Sequence, residues 1–140
     1  MTEILSVLIS YLRDVFLSPC GNDVKWISTS FAEVMHQKCF IVLTRERGRS
    51  FRKFGMDIEE LSIIVYVGVQ FRAEGTIGET YRDTGLLFHM VDKLKELLDR
   101  YHLKTLGFID SWLEEERETE IWEDRFYVKP LRVRVWRQQA

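Results

Sequence analysis

The chain has 140 residues and a mass of 16.7 kDa, and 46% of its residues are hydrophobic and 30% charged. This length predicts one domain over residues 1–140, and the composition excludes disordered, collagen-like and low-complexity proteins. Twenty basic and 22 acidic side chains leave a net charge of −2. The overall charge therefore does not favour binding to nucleic acid or to an anionic membrane.

Neither a secretory signal nor a membrane anchor is expected. Charged residues interrupt the apolar segment 1–17, and no basic segment precedes it. No stretch reaches the roughly 18 uninterrupted apolar residues that a transmembrane helix needs. The two cysteines, Cys20 and Cys39, are fewer than a secreted disulfide scaffold would carry, which favours reduced thiols in the cytoplasm or in an assembled particle.

The N-terminal segment predicts helical structure. Apolar residues at helical spacing, with polar residues between them, predict an amphipathic helix over residues 3–17. Ser30 and Glu33 have the spacing of a capping box, in which each side chain binds a free backbone N–H of the other end of the turn. This pattern predicts a short helical turn over residues 31–37.

Two strands are predicted next. β-Branched and aromatic residues indicate strands over residues 38–44 and 60–71, joined by a loop over residues 45–57. In the second strand the apolar residues from 61 to 71 alternate, as expected for a strand with one face in the core. Ile64 and Tyr66 lie on the other face, which suggests that this face is also partly covered.

A long second helix follows a predicted loop over residues 72–82. Asp83 or Thr84 is the expected N-cap, and the helix extends to about Tyr101. Its apolar residues form a continuous stripe, which consists of Leu86, Leu87, Met90, Val91, Leu94, Leu97, Leu98 and Tyr101.

The last third of the chain predicts two further strands, over residues 106–113 and 126–136. Pro130 lacks a backbone N–H, so it indicates an edge position or a bulge. The order of elements predicts an α+β fold, in which a mainly antiparallel sheet carries the N-terminal helix and the second long helix.

No catalytic or metal-binding motif is present in the sequence. The histidines, His36, His89 and His102, do not form a recognised catalytic pattern. His36 and Cys39, even with Cys20, lack the paired spacing that is typical of zinc sites. We expect no enzymatic activity, no cofactor and no metal.

Charge is distributed in blocks of alternating sign. Residues 45–53 contain five basic side chains and one acidic, residues 110–124 contain eight acidic and one basic, and residues 125–137 contain five basic and no acidic. The blocks are either solvated faces or complementary patches on neighbouring copies of the chain. In the second case the contacts are heterologous and generate a ring when the rotation closes.

A third interpretation assigns the segment 45–54 to nucleic acid, because Phe51 and Phe54 lie among its arginines. Aromatic rings stack on bases and arginines neutralise phosphates. The acidic block and the net charge weaken this interpretation. Trp122, which is flanked by acidic residues, is the best candidate for an exposed aromatic anchor.

Several features of residues 85–136 point to one family. They are a capped helix with GLLFHMV at 85–91 and leucines after it, the segment GFIDSW at 107–112, an acidic connection, and the closing strand YVKPLRVRVW at 127–136. With these features the chain resembles the small tail terminator, or tail completion, proteins of long-tailed bacteriophages. The N-terminal helix and the two strands with a protruding connection also fit the layout of that family.

The resemblance implies a structural protein without cofactor or enzymatic activity. Proteins of this family form a ring, typically a hexamer, on the last ring of the tail tube and stop its polymerisation. Their partners are copies of themselves, the tail tube protein and sheath or head–neck proteins, while DNA passes through as cargo. The implied location is a virion or a phage-tail-like particle with a contractile or flexible tail, after assembly in the bacterial cytoplasm. The alternatives are a neck or head-completion connector and a small nucleic-acid-binding module.

We expect the interface of such a ring to use the basic and acidic blocks. The positive candidates are Arg45, Arg47, Arg49, Phe51, Arg52, Lys53, Phe54, Arg132 and Arg134, with the aromatic residues among them. The complementary candidates are Glu114, Glu115, Glu116 and Glu118, with Trp122 as anchor. If Arg132 and Arg134 pair with glutamates of a neighbouring copy, their reversal to Glu weakens the ring and leaves the monomer folded.

Overall fold

The computed structural model describes residues 3–16, 26–35, 37–71 and 77–139. The helices are α1 (Ile4–Val15), α2 (Phe31–Val34), α3 (Ile77–Leu97) and α4 (Arg100–Leu103), with a 3₁₀ turn at Lys104–Leu106. The strands are β1 (Ile27–Ser28), β2 (Cys39–Lys53), β3 (Met56–Gln70), β4 (Phe108–Glu116), β5 (Glu120–Trp122) and β6 (Phe126–Gln138). The prediction of an α+β fold is confirmed.

Within these residues the strands form one six-stranded sheet in the order β1-β2-β3-β6-β4, and β5 pairs with the N-terminal part of β6. The β1–β2 pair is parallel and the other pairs are antiparallel. The last long strand of the chain therefore lies in the middle of the sheet. In this position β6 has β3 on one side and the two acidic strands β4 and β5 on the other.

One face of the sheet carries α1 and α3 and forms the main core. α1 buries one apolar stripe there, and α3 buries Leu87, Met90, Val91, Leu94 and Leu97. The alternating residues of β3 from Leu61 to Val69 lie in the same cluster, as predicted. The Tyr11 hydroxyl of α1 donates to the Leu97 carbonyl at 3.0 Å, which joins the two helices.

The opposite face of the sheet is covered at one end by α2. Val34 of α2 packs in a second buried cluster with Phe40, Val42, Phe126 and Val128. Tyr66 lies at the margin of this cluster, so the predicted partial covering of the second face is confirmed. The remainder of that face carries mainly charged side chains and is called the polar face below.

The predicted loop over residues 45–57 is wrong, because β2 and β3 continue as a hairpin to a two-residue turn at Phe54 and Gly55. Both turn residues have positive φ, +55° and +73°, as a type I′ hairpin turn requires. Charged residues occupy both sides of this part of β2, so the alternation that reveals a half-buried strand is missing.

The predicted start of the second helix is also wrong, because α3 begins at Ile77 and places Asp83 and Thr84 inside the helix. The rest of the predicted loop, residues 72–76, lies outside the described residues. Six residues of the predicted apolar stripe are buried, but Tyr101 is 82% exposed because α3 ends before it.

Local details at three other positions differ from the prediction. The Ser30 side chain makes no cap hydrogen bond, and the Glu33 carboxylate instead accepts from the Ser28 hydroxyl at 2.5 Å. β6 is not an edge strand, but Pro130 lies where β4 ends and before β5 begins. The Pro130 carbonyl accepts from the Arg117 N–H. In a strand the N–H of a residue lies on the same side as its carbonyl, so the N–H that proline lacks would face the gap between β4 and β5.

Cys39 is disulfide-bonded, so the prediction of a reduced thiol at this position is wrong. The other cysteine of the chain, Cys20, lies outside the described residues. A low cysteine count is therefore a poor guide to the redox state of this chain.

Two glycines offer a test of this packing. A Cβ at Gly68 would lie 2.2 Å from the ring of the fully buried Phe40, whereas a Cβ at Gly85 of α3 would meet nothing within 4 Å. We expect Gly68→Ala to lower the free energy of unfolding by about 1–3 kcal/mol, because the Phe40 ring must move in a packed cluster.

Gly85→Ala is the matched control. It should raise the free energy of unfolding by about 1 kcal/mol, because alanine favours the helix interior. Urea unfolding followed by circular dichroism measures both changes. Equal stability of the two variants would contradict the packing of Phe40 on Gly68.

Candidate interaction surfaces

The hairpin formed by residues 45–60 is the main exposed feature of the sheet, and we call it the arm. β1 pairs with β2 only at Ile41 and Val42, so within the described chain the outer edge of β2 is free from Leu43 to Lys53. The register shifts between Arg45 and Arg47, which places Arg45 on the helix side and Arg47 on the polar face. The outer edge of the arm is therefore available to a partner, with basic side chains on either face.

Two arginines of β6 form ion pairs across the polar face. Arg132 binds Glu46 of the arm at 2.9 Å and Glu115 of β4 at 2.8 Å. Each of these three side chains is at least partly exposed to solvent. Arg132 therefore links the arm to the acidic edge strand within one chain.

Arg134, two residues further along β6, makes a second set of pairs. It binds Glu114 of β4 at 2.6 Å and lies 3.8 Å from Glu60 of the arm. The structure thus brings predicted basic and acidic residues together within one copy of the chain. Because reversal of Arg132 and Arg134 would place like charges side by side in the sheet, we expect it to destabilise the monomer as well as any ring.

Glu60 is the most buried carboxylate of this network, with 6% of its surface exposed. It accepts hydrogen bonds from Arg49 Nε at 2.7 Å and from Trp136 Nε1 at 2.6 Å. Burial raises the pKa of Glu60, but the bonds from Arg49 and Trp136 and the charge of Arg134 outweigh it and lower the pKa overall. Glu60 is therefore ionised at neutral pH and holds the base of the arm.

An aromatic row lies beside this network. Phe51 packs edge-on against Trp136 at 5.2 Å, and Trp136 packs against Trp112 at 5.3 Å. The Arg49 guanidinium lies 5.0 Å from the centre of the Phe51 ring, and Arg134 lies 5.9 Å from that of Trp112. Phe51 and Arg49 thus have partners within their own chain, although the Arg49 side chain is still 64% exposed. These contacts weaken the nucleic-acid interpretation of the arm.

The remaining predicted residues of the arm are more available. Arg45 and Arg47 are exposed and form no ion pair with the described residues. Arg52 lies 3.9 Å from Asp57, with both side chains exposed. Lys53 lies over the rings of Phe54 and Trp136, and Phe54 itself is 81% exposed at the tip. The outer part of the arm therefore presents positive charge and one bare aromatic ring.

The other predicted acidic residues lie elsewhere. Glu116 binds Lys95 of α3 at 2.8 Å and Lys129 at 3.7 Å on the helix side, and the hydrogen bond from Lys95 lowers the pKa of Glu116. Glu118 is exposed and forms no ion pair with the described part of the chain. Glu116 is the last residue of β4, and Glu118 lies between β4 and β5.

Trp122 is half-buried, so its prediction as an exposed anchor is wrong. Its ring packs against Phe31 and Tyr66, each at 5.4 Å, and its Nε1 donates to Glu120 at 2.8 Å. The neighbouring Ile121 is instead 60% exposed. Because α2 covers this end of the sheet, the aromatic residue points inward and the aliphatic one outward.

Comparisons with known proteins add no assignment. No family model matches the chain, and no curated protein matches it. Within the described residues no group of three or more histidines, cysteines and carboxylates could hold a metal ion. None of the helices in that part of the chain is both long and apolar enough to cross a membrane.

Glu60→Gln tests the ion-pair network. It should lower the free energy of unfolding at pH 7 by about 1–3 kcal/mol, because Arg49 and Arg134 lose a buried counter-charge. Since folding lowers the pKa of Glu60, its contribution is present above the unfolded pKa near 4.3 and disappears as the pH falls through the folded pKa.

The measurement is the difference in unfolding free energy between the variant and the wild type from pH 7 to pH 3. The difference should shrink toward the acid end. Glu118→Gln, at an exposed and unpaired position, serves as the control and should stay within about 0.5 kcal/mol of wild type. A pH-independent difference for Glu60→Gln would contradict the assignment of charge to this carboxylate.

Proposed function

We propose that the chain is a structural assembly protein that forms a ring, caps the tail tube and ends its polymerisation in a phage or phage-tail-like particle. The resemblance of residues 85–136 to tail terminator proteins supports this proposal. The observation that carries the proposal is the sheet itself, which in the described part of the chain has two unpaired edges of unlike character. One is the basic outer edge of β2, and the other is the acidic edge of β4.

The directions of the strands suit a head-to-tail contact. Going across the sheet from β2 through β3 and β6 to β4, each neighbouring pair is antiparallel, so β4 runs opposite to β2. β4 of one copy beside β2 of the next would continue the sheet with another antiparallel pair. Such a contact uses two different patches and closes into a ring when the rotation per copy allows it.

A closed ring explains how such a protein would end a growing tube. Ring closure leaves no free strand edge at the sides, so lateral growth stops. To end growth along the axis, the ring must also bind the tube with one surface and present a different surface on the opposite side, so that no further tube ring binds. The proposed partners are further copies of the chain, as a hexamer in the family, and the tube protein, with sheath or head–neck proteins beyond it and DNA as passing cargo.

Electron microscopy of particles assembled in the native source, with and without this protein, tests the proposal. We expect tubes of normal diameter and excessive length when the protein is missing. Tails of normal length that fail to join heads would instead establish the alternative, a neck or head-completion connector. Unchanged tail-like particles, or none at all, would contradict both assembly roles and favour the nucleic-acid-binding module.

The purified chain allows a second test of the ring. Arg47→Glu and Arg52→Glu, introduced together, should lower the ring fraction at least several-fold at physiological salt, because the arm loses its attraction for an acidic edge. Arg52→Glu would face Asp57 across the hairpin, but both side chains are exposed, so the unfolding free energy of the monomer should fall by no more than about 1 kcal/mol.

Arg100→Glu and Lys104→Glu, introduced together, are the matched control, because they change the net charge equally and both are exposed basic residues in α4 and the 3₁₀ turn, away from the arm. Native mass spectrometry and sedimentation velocity measure the ring fraction. An equal loss of rings in the control would attribute the effect to net charge, and an unchanged ring fraction in the double variant would remove the arm from the contact.

A further inference from the structure

An apolar groove lies at the free edge of β4, on the helix side of the sheet. It has a volume of about 180 Å³ and is lined mainly by the apolar side chains of Leu94, Leu98, Leu113, Leu131 and Val133, with Lys95 and Asp99 beside them. The Ser111 hydroxyl donates to the Leu98 carbonyl at 2.6 Å, which fixes the helix end against the strand below the groove. Leu113 at its mouth is 40% exposed, so apolar surface remains open to solvent.

Phe54 at the tip of the arm is the complementary feature. Its φ of +55° is a conformation that favours glycine, asparagine and aspartate and disfavours a bulky side chain. Its ring is nevertheless 81% exposed, with only Lys53 placed over it. A phenylalanine in this turn therefore serves neither the hairpin nor the core of its own chain, which indicates an external contact.

The arm cannot place Phe54 in the groove of its own chain. The turn joins β2 and β3, while the groove lies beyond β6 at the opposite edge of the sheet. Neighbouring strands are separated by about 4.8 Å, and the groove faces the helix side at the middle of β4. The occupant must belong to another molecule.

We propose that Phe54 of one copy inserts into the β4 groove of the next copy in the ring. This contact rests on the proposed ring and names the residues that hold neighbouring copies together. An engineered cavity of about 150 Å³ binds benzene in another protein, so the groove has room for one phenyl ring. The groove is also lined by one cation and one anion, Lys95 and Asp99, and each already pairs within its own chain, with Glu116 and His102. The contact that we propose is therefore apolar.

We call the Phe54 side chain the knob. The contact is heterologous, since the knob and the groove are different patches on opposite edges of one sheet. Each copy therefore offers one knob and one groove, and every contact in a closed ring is satisfied. A dimer with one contact still exposes one knob and one groove. This property makes the proposal testable by mixing variants.

The test uses Phe54→Asn, which suits the turn, and Leu113→Glu, which places a charge at the mouth of the groove. Each should lower the association constant at least tenfold in sedimentation velocity and native mass spectrometry, while circular dichroism shows a folded chain. Ile121→Asn is the control, because Ile121 is 60% exposed at the far end of the sheet. We expect the association constant of the Ile121→Asn variant to equal that of the wild type.

An equimolar mixture of the two variants isolates the contact between knob and groove. The Phe54→Asn chain keeps its groove and the Leu113→Glu chain keeps its knob, so the mixture should form one-to-one dimers that do not grow. Photo-crosslinking from benzoylphenylalanine at position 54 should attach to residues 94–99 or 111–113 of another copy. Crosslinks elsewhere, or to the tube protein, would overturn the proposal.

The ring itself is tested separately from this contact. Rings that persist in both variants would overturn the knob and groove and leave the proposed ring in place. A wild-type chain that stays monomeric at every concentration, and also with native tubes, would instead overturn the ring on which the contact rests.

Discussion

The position of Glu60 is the constraint on which the arm depends. Its carboxylate is almost fully buried, yet it belongs to a strand that leaves the core a few residues away. A buried carboxylate is tolerated only with charged or hydrogen-bonding partners, and here they come from β2 and β6. Arg49 and Trp136 are thereby held in place, and with them Phe51 at the centre of the hairpin. These contacts hold the arm in place as an ordered extension of the sheet.

The charge blocks show what a one-dimensional pattern can and cannot reveal. The blocks of opposite sign are apparent from the order of residues in the sequence, but the partners of these charges depend on strand order. β6 lies between β3 and β4, so Arg132 and Arg134 reach carboxylates on both sides of their own strand. A register that pairs strands distant in sequence is set by the whole core and by the turns. For this reason the sequence alone does not distinguish ion pairs within one chain from ion pairs between copies.

Strong periodicity predicted the elements that pack against the core. The alternation of β3 and most of the stripes of α1 and α3 were predicted correctly, because each of these elements buries one face, but Val15 and Tyr101 at the helix ends are exposed. The arm escaped prediction because polar residues occupy both of its faces, and β5 because it has only three residues. At the candidate site, the exposed aromatic was expected at Trp122, whereas α2 covers that residue and Phe54 is bare. The burial of Trp122 depends on where α2 packs, and the exposure of Phe54 depends on its place in the hairpin turn.

The internal ion pairs also bear on how copies would associate. Most carboxylates near the β4 edge already have cations of their own chain, so few charges remain to bind a neighbour strongly. Residual positive charge on the arm would act mainly on the rate of encounter and on orientation, which salt screens. The apolar contact between Phe54 and the groove would mainly lower the dissociation rate, because the ring must leave a desolvated site. In the proposed ring, salt should therefore change the association rate more than the dissociation rate.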